Sequence, residues 1–283
     1  MKFCDILKRK EFVVTCEFCP PKGTDLTEML QKTELVRPYV DAINVTDNQR
    51  ARLYPSSLAV SRILKERGFE VICHLTCRDR NRLSLQSDLL GVHILGIENI
   101  LFLSGDHPFL GDHPESKPVY DLDVSQLLRT ANHLKEGKTL SGKKLQNKIS
   151  LCTGAVVNPE AEPQELQILM MEKKIVLGAE FFQTQPVFDV DKYRKFYDRV
   201  KGFGARVLPS VLVIKSAKFA KNMSKVPGIK IPEKYIKRLE RAQNPLKEGL
   251  KIADEIILAL KEFSGGIHLM APGIEENIPQ LKI

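Results

Sequence analysis

A glutamate set among apolar residues is the first feature of this 283-residue chain that suggests chemistry. Glu17 lies in Val13-Val14-Thr15-Cys16-Glu17-Phe18, a β-branched and aromatic run that reads as a strand, and Pro20-Pro21 follow closely. A carboxyl at the end of an apolar strand is partly desolvated, which is expected to raise its pKa and make it a usable general acid. The prolines stiffen the strand exit, which suits a group needing fixed aim. The plainer alternative is a glutamate satisfied by a nearby Lys or Arg. Asp106 follows the apolar run 100–103 in Ser104-Gly105-Asp106. The glycine permits close approach of backbone to a ligand, although a turn or helix cap would suit the same aspartate. Other apolar runs also close on polar residues: Thr46, His74 with Thr76, Gln183 with Gln185, and Lys215. Residues two apart on a strand share a face, so these groups converge if the strands lie side by side.

Other chemistries fit less well. Cys16 and Cys19 are three apart and point to opposite faces of one strand, and Cys73 diverges from His74, so no metal is expected there. His107 and His113, with Asp106 and Asp112, form a loop that reads as a turn before it reads as a metal site. Gly137-Lys138-Thr139 resembles the end of a phosphate loop, but Asn132 stands where a glycine is needed and the segment follows a helix. No G-x-G-x-x-G follows a strand, so any dinucleotide must bind elsewhere than on a Rossmann turn.

The elements that must position these groups alternate along the chain. Strands are expected at 12–18, 41–46, 70–76, 99–103, 149–157, 180–184, 206–214 and 266–270. Helices are expected at 25–36 (with Thr24 as its cap), 56–67, 82–95, 121–134, 162–177, 190–200, 216–223, 232–241 and 245–263. Eight strands, the first seven each followed by a helix, predict a parallel sheet, and at this length a single (β/α)8 TIM barrel over 1–283. Active sites of such barrels lie at the carboxyl ends of the strands.

Composition adds limits. An apolar fraction of 43% and a charged fraction of 28% suit a globular chain. No run approaches the ~18 apolar residues of a membrane span, and no signal-like segment opens the chain, so a cytoplasmic location without membrane insertion is expected. All six cysteines, Cys4 and Cys152 included, therefore read as reduced thiols. Between Lys215 and Lys251 eleven Lys or Arg face three Glu, which accounts for the whole net charge of +8. That segment is either a solvated helical face or a docking surface for an acidic partner or a phosphate-bearing cofactor. Nucleic acid is not expected, since no aromatics interleave with the basic residues.

Five ordered motifs then resemble one family. Cys16-Glu17-Phe18-Cys19-Pro20-Pro21-Lys22 is similar to the E-F-x-P-P-K/R opening of the methylenetetrahydrofolate reductases. Cys73 to Cys77 resembles their P-H-L-T-C strand, Leu103 to Asp106 their L-x-G-D strand end, and Asn158-Pro159-Glu160 their H/N-P-E element. Gly178-Ala179 with the segment Phe182 to Asp189 resembles their G-A-x-F-x-x-T-Q-x-x-F-D. The resemblance implies FAD along the barrel mouth, with Thr46, His74 and Asp106 contacting the flavin and Lys173 and Lys174 facing its phosphates. It implies that Gln185, beside Gln183, binds the pterin of methylenetetrahydrofolate, with Asp106 near both rings. Glu17 is then the general acid that opens the five-membered ring, and reduced flavin delivers hydride.

The resemblance has departures. Gly154 stands where these enzymes commonly have Tyr, and Asn158 where they commonly have His among the flavin contacts. Members using NADH usually carry P-G-x-x-P-x-x-S/T-F/Y; here Pro209 to Ala217 is shorter and ends on Ala217. NADH or NADPH stays open as donor beside an electron-donating partner subunit docked near 215–251. A flavin-binding subunit of a larger complex and a folate-binding barrel without turnover are the other readings, and an oligomer is expected.

Overall fold

The computed structural model describes residues 2–226 and 228–283. Eight strands hydrogen-bond in chain order and close on themselves, every pair parallel: β1 (Val13–Phe18), β2 (Ala42–Val45), β3 (Val71–Thr76), β4 (Asn99–Leu103), β5 (Cys152–Val157), β6 (Phe181–Pro186), β7 (Arg206–Leu212) and β8 (Gly266–Met270). This is the expected (β/α)8 barrel. The strands are short and rich in Val, Ile, Leu and Phe because both their faces are covered, one by the barrel interior and one by helices.

The covering helices are α2 (Thr27–Val36), α3 (Ser57–Glu66), α4 (Arg82–Ile94), α5 (Val124–Lys135), α6 (Gln164–Val176), α7 (Val190–Val200), α8 (Ala217–Met223), α9 (Glu233–Arg241) and α10 (Pro245–Lys261). Several starts are written in the sequence. Asp123 caps α5 in a capping box with Gln126, Asn81 caps α4, and Asn244 caps α10 just before Pro245. Helix α2 starts two residues later than expected: Asp25, and not Thr24, accepts the Thr27 N–H. No helix among the described residues is long and apolar enough to cross a membrane.

One element was not expected. A seven-residue helix, α1 (Phe3–Arg9), closes the amino-terminal end of the barrel. Phe3, Cys4 and Leu7 are buried against Val13, Ile72, Leu101, Phe181 and Leu208. The Phe3 ring meets Phe181 edge to face at 5.1 Å, its N–H donates to Asn99, and Arg206 donates to the carbonyls of Leu7, Lys10 and Glu11. The cysteine expectation needs a correction here. Cys4 on α1 and Cys152 on β5 form a disulfide with Cα atoms 5.8 Å apart, so only four cysteines are free. Compartment reasoning missed it because the two thiols meet through a helix that composition did not reveal. The lower barrel is therefore an apolar plug, and the open end is the carboxyl one.

Candidate functional site

Above the plug the barrel interior turns polar. Inward-facing Thr15, Asn44, His74, Gln183 and His268, from five different strands, form a buried hydrogen-bonded layer. Asn44 and Gln183 exchange amide hydrogen bonds of 2.9 and 3.2 Å across the barrel. Asn44 also donates to His74 Nε2 at 2.9 Å, which makes that nitrogen an acceptor. Gln183 donates toward Thr15 Oγ1 and His268 Nδ1, which turns His268 Nε2 toward Glu17 Oε2, 3.9 Å away. Buried polar atoms in such a layer need partners, because each one left unpaired carries a desolvation cost.

Two residues beyond Thr15, Asn44, His74 and Gln183, the side chains of Glu17, Thr46, Thr76 and Gln185 reach a cavity of about 450 Å³. Such a volume suits a small-molecule site. Glu17, Thr46, His74, Thr76, Asp106, Asn158, Lys174, Gln183 and Gln185 all line it, so the structure brings together most of the residues singled out above. Four do not arrive as expected. Lys215 donates to the Pro272 carbonyl outside the cavity, because β7 ends at Leu212 and Ser210 is its inward residue. Lys173 is exposed and turns away, since consecutive helical residues lie about 100° apart. Gly154 sits below the cavity, where a Cβ would run into the Phe181 ring. Asp106 lines the cavity but is exposed, with its carbonyl held by Arg78 at 3.2 Å.

The Glu17 carboxyl also differs from expectation. Burial pushes its pKa up, but hydrogen bonding and charge at His268, charge at His74 and the Gln49 amide outweigh burial. The net shift is downward, so the group rests as a carboxylate. Gln49 donates to Glu17 Oε1 at 2.8 Å.

Residues outside the expected set build the rim. Arg78, fully buried, bonds the Asp79 carboxylate and the carbonyls of Asn48 and Asp106, pinning two rim loops together. Asp47 accepts from the Thr76 N–H and hydroxyl and from Arg80 at 2.6 Å. A signal for the polar layer was present: Thr15, Asn44 and His268 lie two residues before Glu17, Thr46 and Met270, on the same strand faces.

His74 supplies a pH prediction. Burial holds its pKa down at about 4, against an opposing pull from the Glu17 charge. Between pH 6.5 and 4 the unfolded chain binds a proton that the folded chain refuses, so stability is full above about 6.5 and falls toward pH 4. The loss should approach about 3 kcal/mol, read as the difference in urea midpoints between pH 7 and 4.5. His74→Gln should lose clearly less over that interval; an equal loss in both proteins would clear His74 of the effect.

Barrel enzymes work at this end of the sheet, and the half-buried carboxyl facing a polar cavity there places the chain among them. The sequence profile of the family "Methylenetetrahydrofolate reductase" matches residues 2–281. The chain belongs to the methylenetetrahydrofolate reductase family and is an oxidoreductase. The 5,10-methylenetetrahydrofolate reductase of Pectobacterium carotovorum is 26% identical over 226 residues, 77% of this chain and 70% of that protein. The Escherichia coli enzyme of the same name is 26% identical over 225 residues, with the same coverage. Among solved structures, an uncharacterized protein from Clostridium thermocellum that binds two copies of 5-methyl-5,6,7,8-tetrahydrofolic acid superposes with a TM-score of 0.66 at 17% identity, covering 96% of this chain and 93% of that one. That last likeness speaks to the fold.

Proposed function

We propose that this chain reduces 5,10-methylenetetrahydrofolate to 5-methyltetrahydrofolate with FAD as cofactor and Glu17 as proton donor. The observation that carries this reading is the Glu17 carboxyl at the inner wall of a cavity that Asp106 and Gln185 also line. The residues fit a flavin. Thr46 Oγ1 is buried with no hydrogen-bond partner among the described residues, beside a Cys19 thiol that is only a weak one. Lys174, half-buried in the cavity wall and partnered by the Val156 carbonyl at 2.8 Å, offers a cation to a diphosphate. When bound, the flavin supplies the hydride that turns the bridging methylene into a methyl group. Gln185 orients the pterin by its amide, and Asp106 faces both rings from the rim. Glu17 gives its proton to the nitrogen that leaves as the five-membered ring opens, and returns to carboxylate.

Flavin retention and turnover test the reading. The purified chain should be yellow and should reduce methylenetetrahydrofolate with an artificial donor. Lys174→Met should weaken flavin binding about 10–100-fold, the worth of a hydrogen bond to a charged group, whereas Lys173→Met should leave it unchanged. A colourless chain, or equal loss in both variants, rejects the cofactor assignment.

A second reading concerns the reductant. The segment after β7 carries Ala217 where an aromatic ring was expected, and Met223, Val226 and Ile229 form part of the cavity wall. Among the described residues, no aromatic side chain of this segment lines the cavity to stack on nicotinamide. On this reading electrons come from a partner protein at the basic α8–α10 face, and rapid bleaching of the flavin by NADH or NADPH in the isolated chain would reject it.

A further inference from the structure

The rim loop after β2 carries an unusual concentration of backbone strain. Four described non-glycine residues have φ in the left-handed region, and three of them, Asn48, Arg50 and Ala51, lie here at 43°, 59° and 53°. The strain is held by tethers on both sides. Arg78 donates to the Asn48 carbonyl at 3.2 Å, Tyr54 N–H donates to Asn48 Oδ1 at 3.0 Å, and Leu53 N–H donates to Asp112 at 3.1 Å. Gly111 lies so close to the Ala51 carbonyl that no Cβ fits between them. Held this way, the loop presents Gln49 into the cavity with its amide on Glu17 Oε1. Strain maintained at a site marks a segment with a task there.

The chemistry of that hydrogen bond sets the task. An amide N–H can only donate, so it favours the charged carboxylate. A carboxylic acid about to transfer its proton must aim an O–H at an acceptor. The Gln49 donor therefore competes with a proton for Oε1. The other oxygen faces His268. Resting on the function proposed above, we infer that Gln49 is a positioning residue that holds Glu17 ionised until the pterin displaces it, so that Glu17 takes up its proton only with substrate in place. The proton comes from solvent and forms the Glu17 O–H bond. It then passes to the substrate nitrogen as that nitrogen's bond to the methylene carbon breaks, and Gln49 re-forms its bond to the carboxylate. The other titratable groups facing Glu17 are His268 on β8, His74 on β3, and Cys16 and Cys19 on and just beyond β1, with Glu275 acting on the two cysteines.

The test follows the Glu17 carboxyl directly by carbon NMR of glutamate-labelled protein, assigned with Glu17→Gln, titrated with and without 5-methyltetrahydrofolate. In the native chain the ligand should raise the Glu17 pKa by about one unit or more, a tenfold change in proton affinity. Gln49→Met should show the raised value without ligand and little further rise with it. Gly111→Ala, which pushes the Ala51 carbonyl and its loop aside, should move the ligand-free value in the same direction. In steady state, Gln49→Met should shift the alkaline limb of kcat/KM upward and leave that of kcat in place, since the first reports the free enzyme and the second the complex. A ligand-induced rise of the same size in native and Gln49→Met proteins, or equal shifts of both limbs, overturns the inference. Failure of the ligand to bind at all instead counts against the proposed function, while the ligand-free comparison of the native and Gln49→Met proteins still decides whether Gln49 holds the carboxylate.

Discussion

Glu17→Gln should leave a folded barrel that retains flavin, while reduction of methylenetetrahydrofolate falls roughly 10²–10⁴-fold, the range for losing a general acid. The substitution keeps the side chain's shape and still offers Gln49 an oxygen to bond, so the loop after β2 has no reason to move. What disappears is the transferable proton. His268 is a poor substitute, because its Nδ1 is engaged by Thr15 and Gln183 and its Nε2 faces the residue 17 side chain. The measurement is single-turnover: reduction of bound flavin by an artificial donor should proceed as in the native chain, and its reoxidation by methylenetetrahydrofolate should stall. Reoxidation within a few-fold of native would remove Glu17 from the chemistry.

Arg80→Met is expected to cost about 3–5 kcal/mol, the range for stripping the partner from a buried charge. The Asp47 carboxylate has 1% of its side chain exposed and receives Arg80 at 2.6 and 3.2 Å. Without the guanidinium it keeps only the neutral donors of Thr76. Asp47 links the carboxyl ends of β2 and β3, so the damage reaches the wall that holds Thr46 and His74. Thermal unfolding should drop by about 10 °C, and Asp47→Asn added to Arg80→Met should recover part of it by removing the orphaned charge. A drop of only a degree or two would show that the pair is solvated in solution.

The barrel was legible in the sequence because its signals are local. Runs such as 99–103, 190–200 and 266–270 coincide with the observed elements, and the others differ by a few residues at their ends. The cavity was legible in part for a similar reason: strand alternation sets which side chains face inward, so Glu17, His74, Gln183 and Gln185 were found together. Lys215 was misplaced because Val213 and Ile214 extend an apolar run past the true end of β7. Lys173 and Lys174 were placed together by the family resemblance, whereas neighbours on a helix point about 100° apart. The Glu17 pKa was misjudged because burial is visible in an apolar run, whereas the opposing groups come from residues 49, 74 and 268. Helix α1 escaped because it is short, has no side-chain cap, and owes much of its stability to distant contacts such as Phe3 with Asn99, 96 positions away.

That same helix has a consequence for how the chain is made. Its berth is assembled from Asn99, Cys152, Phe181 and Arg206, which leave the ribosome long after residues 3–9. A domain of such non-local contacts pays the closure entropy before the contacts reward it. This segment, made before its partners, must therefore wait with Phe3 and Leu7 bare until most of the barrel exists, and it is seated among the last pieces. Limited proteolysis of stalled nascent chains would show residues 3–9 protected only once β7 has emerged.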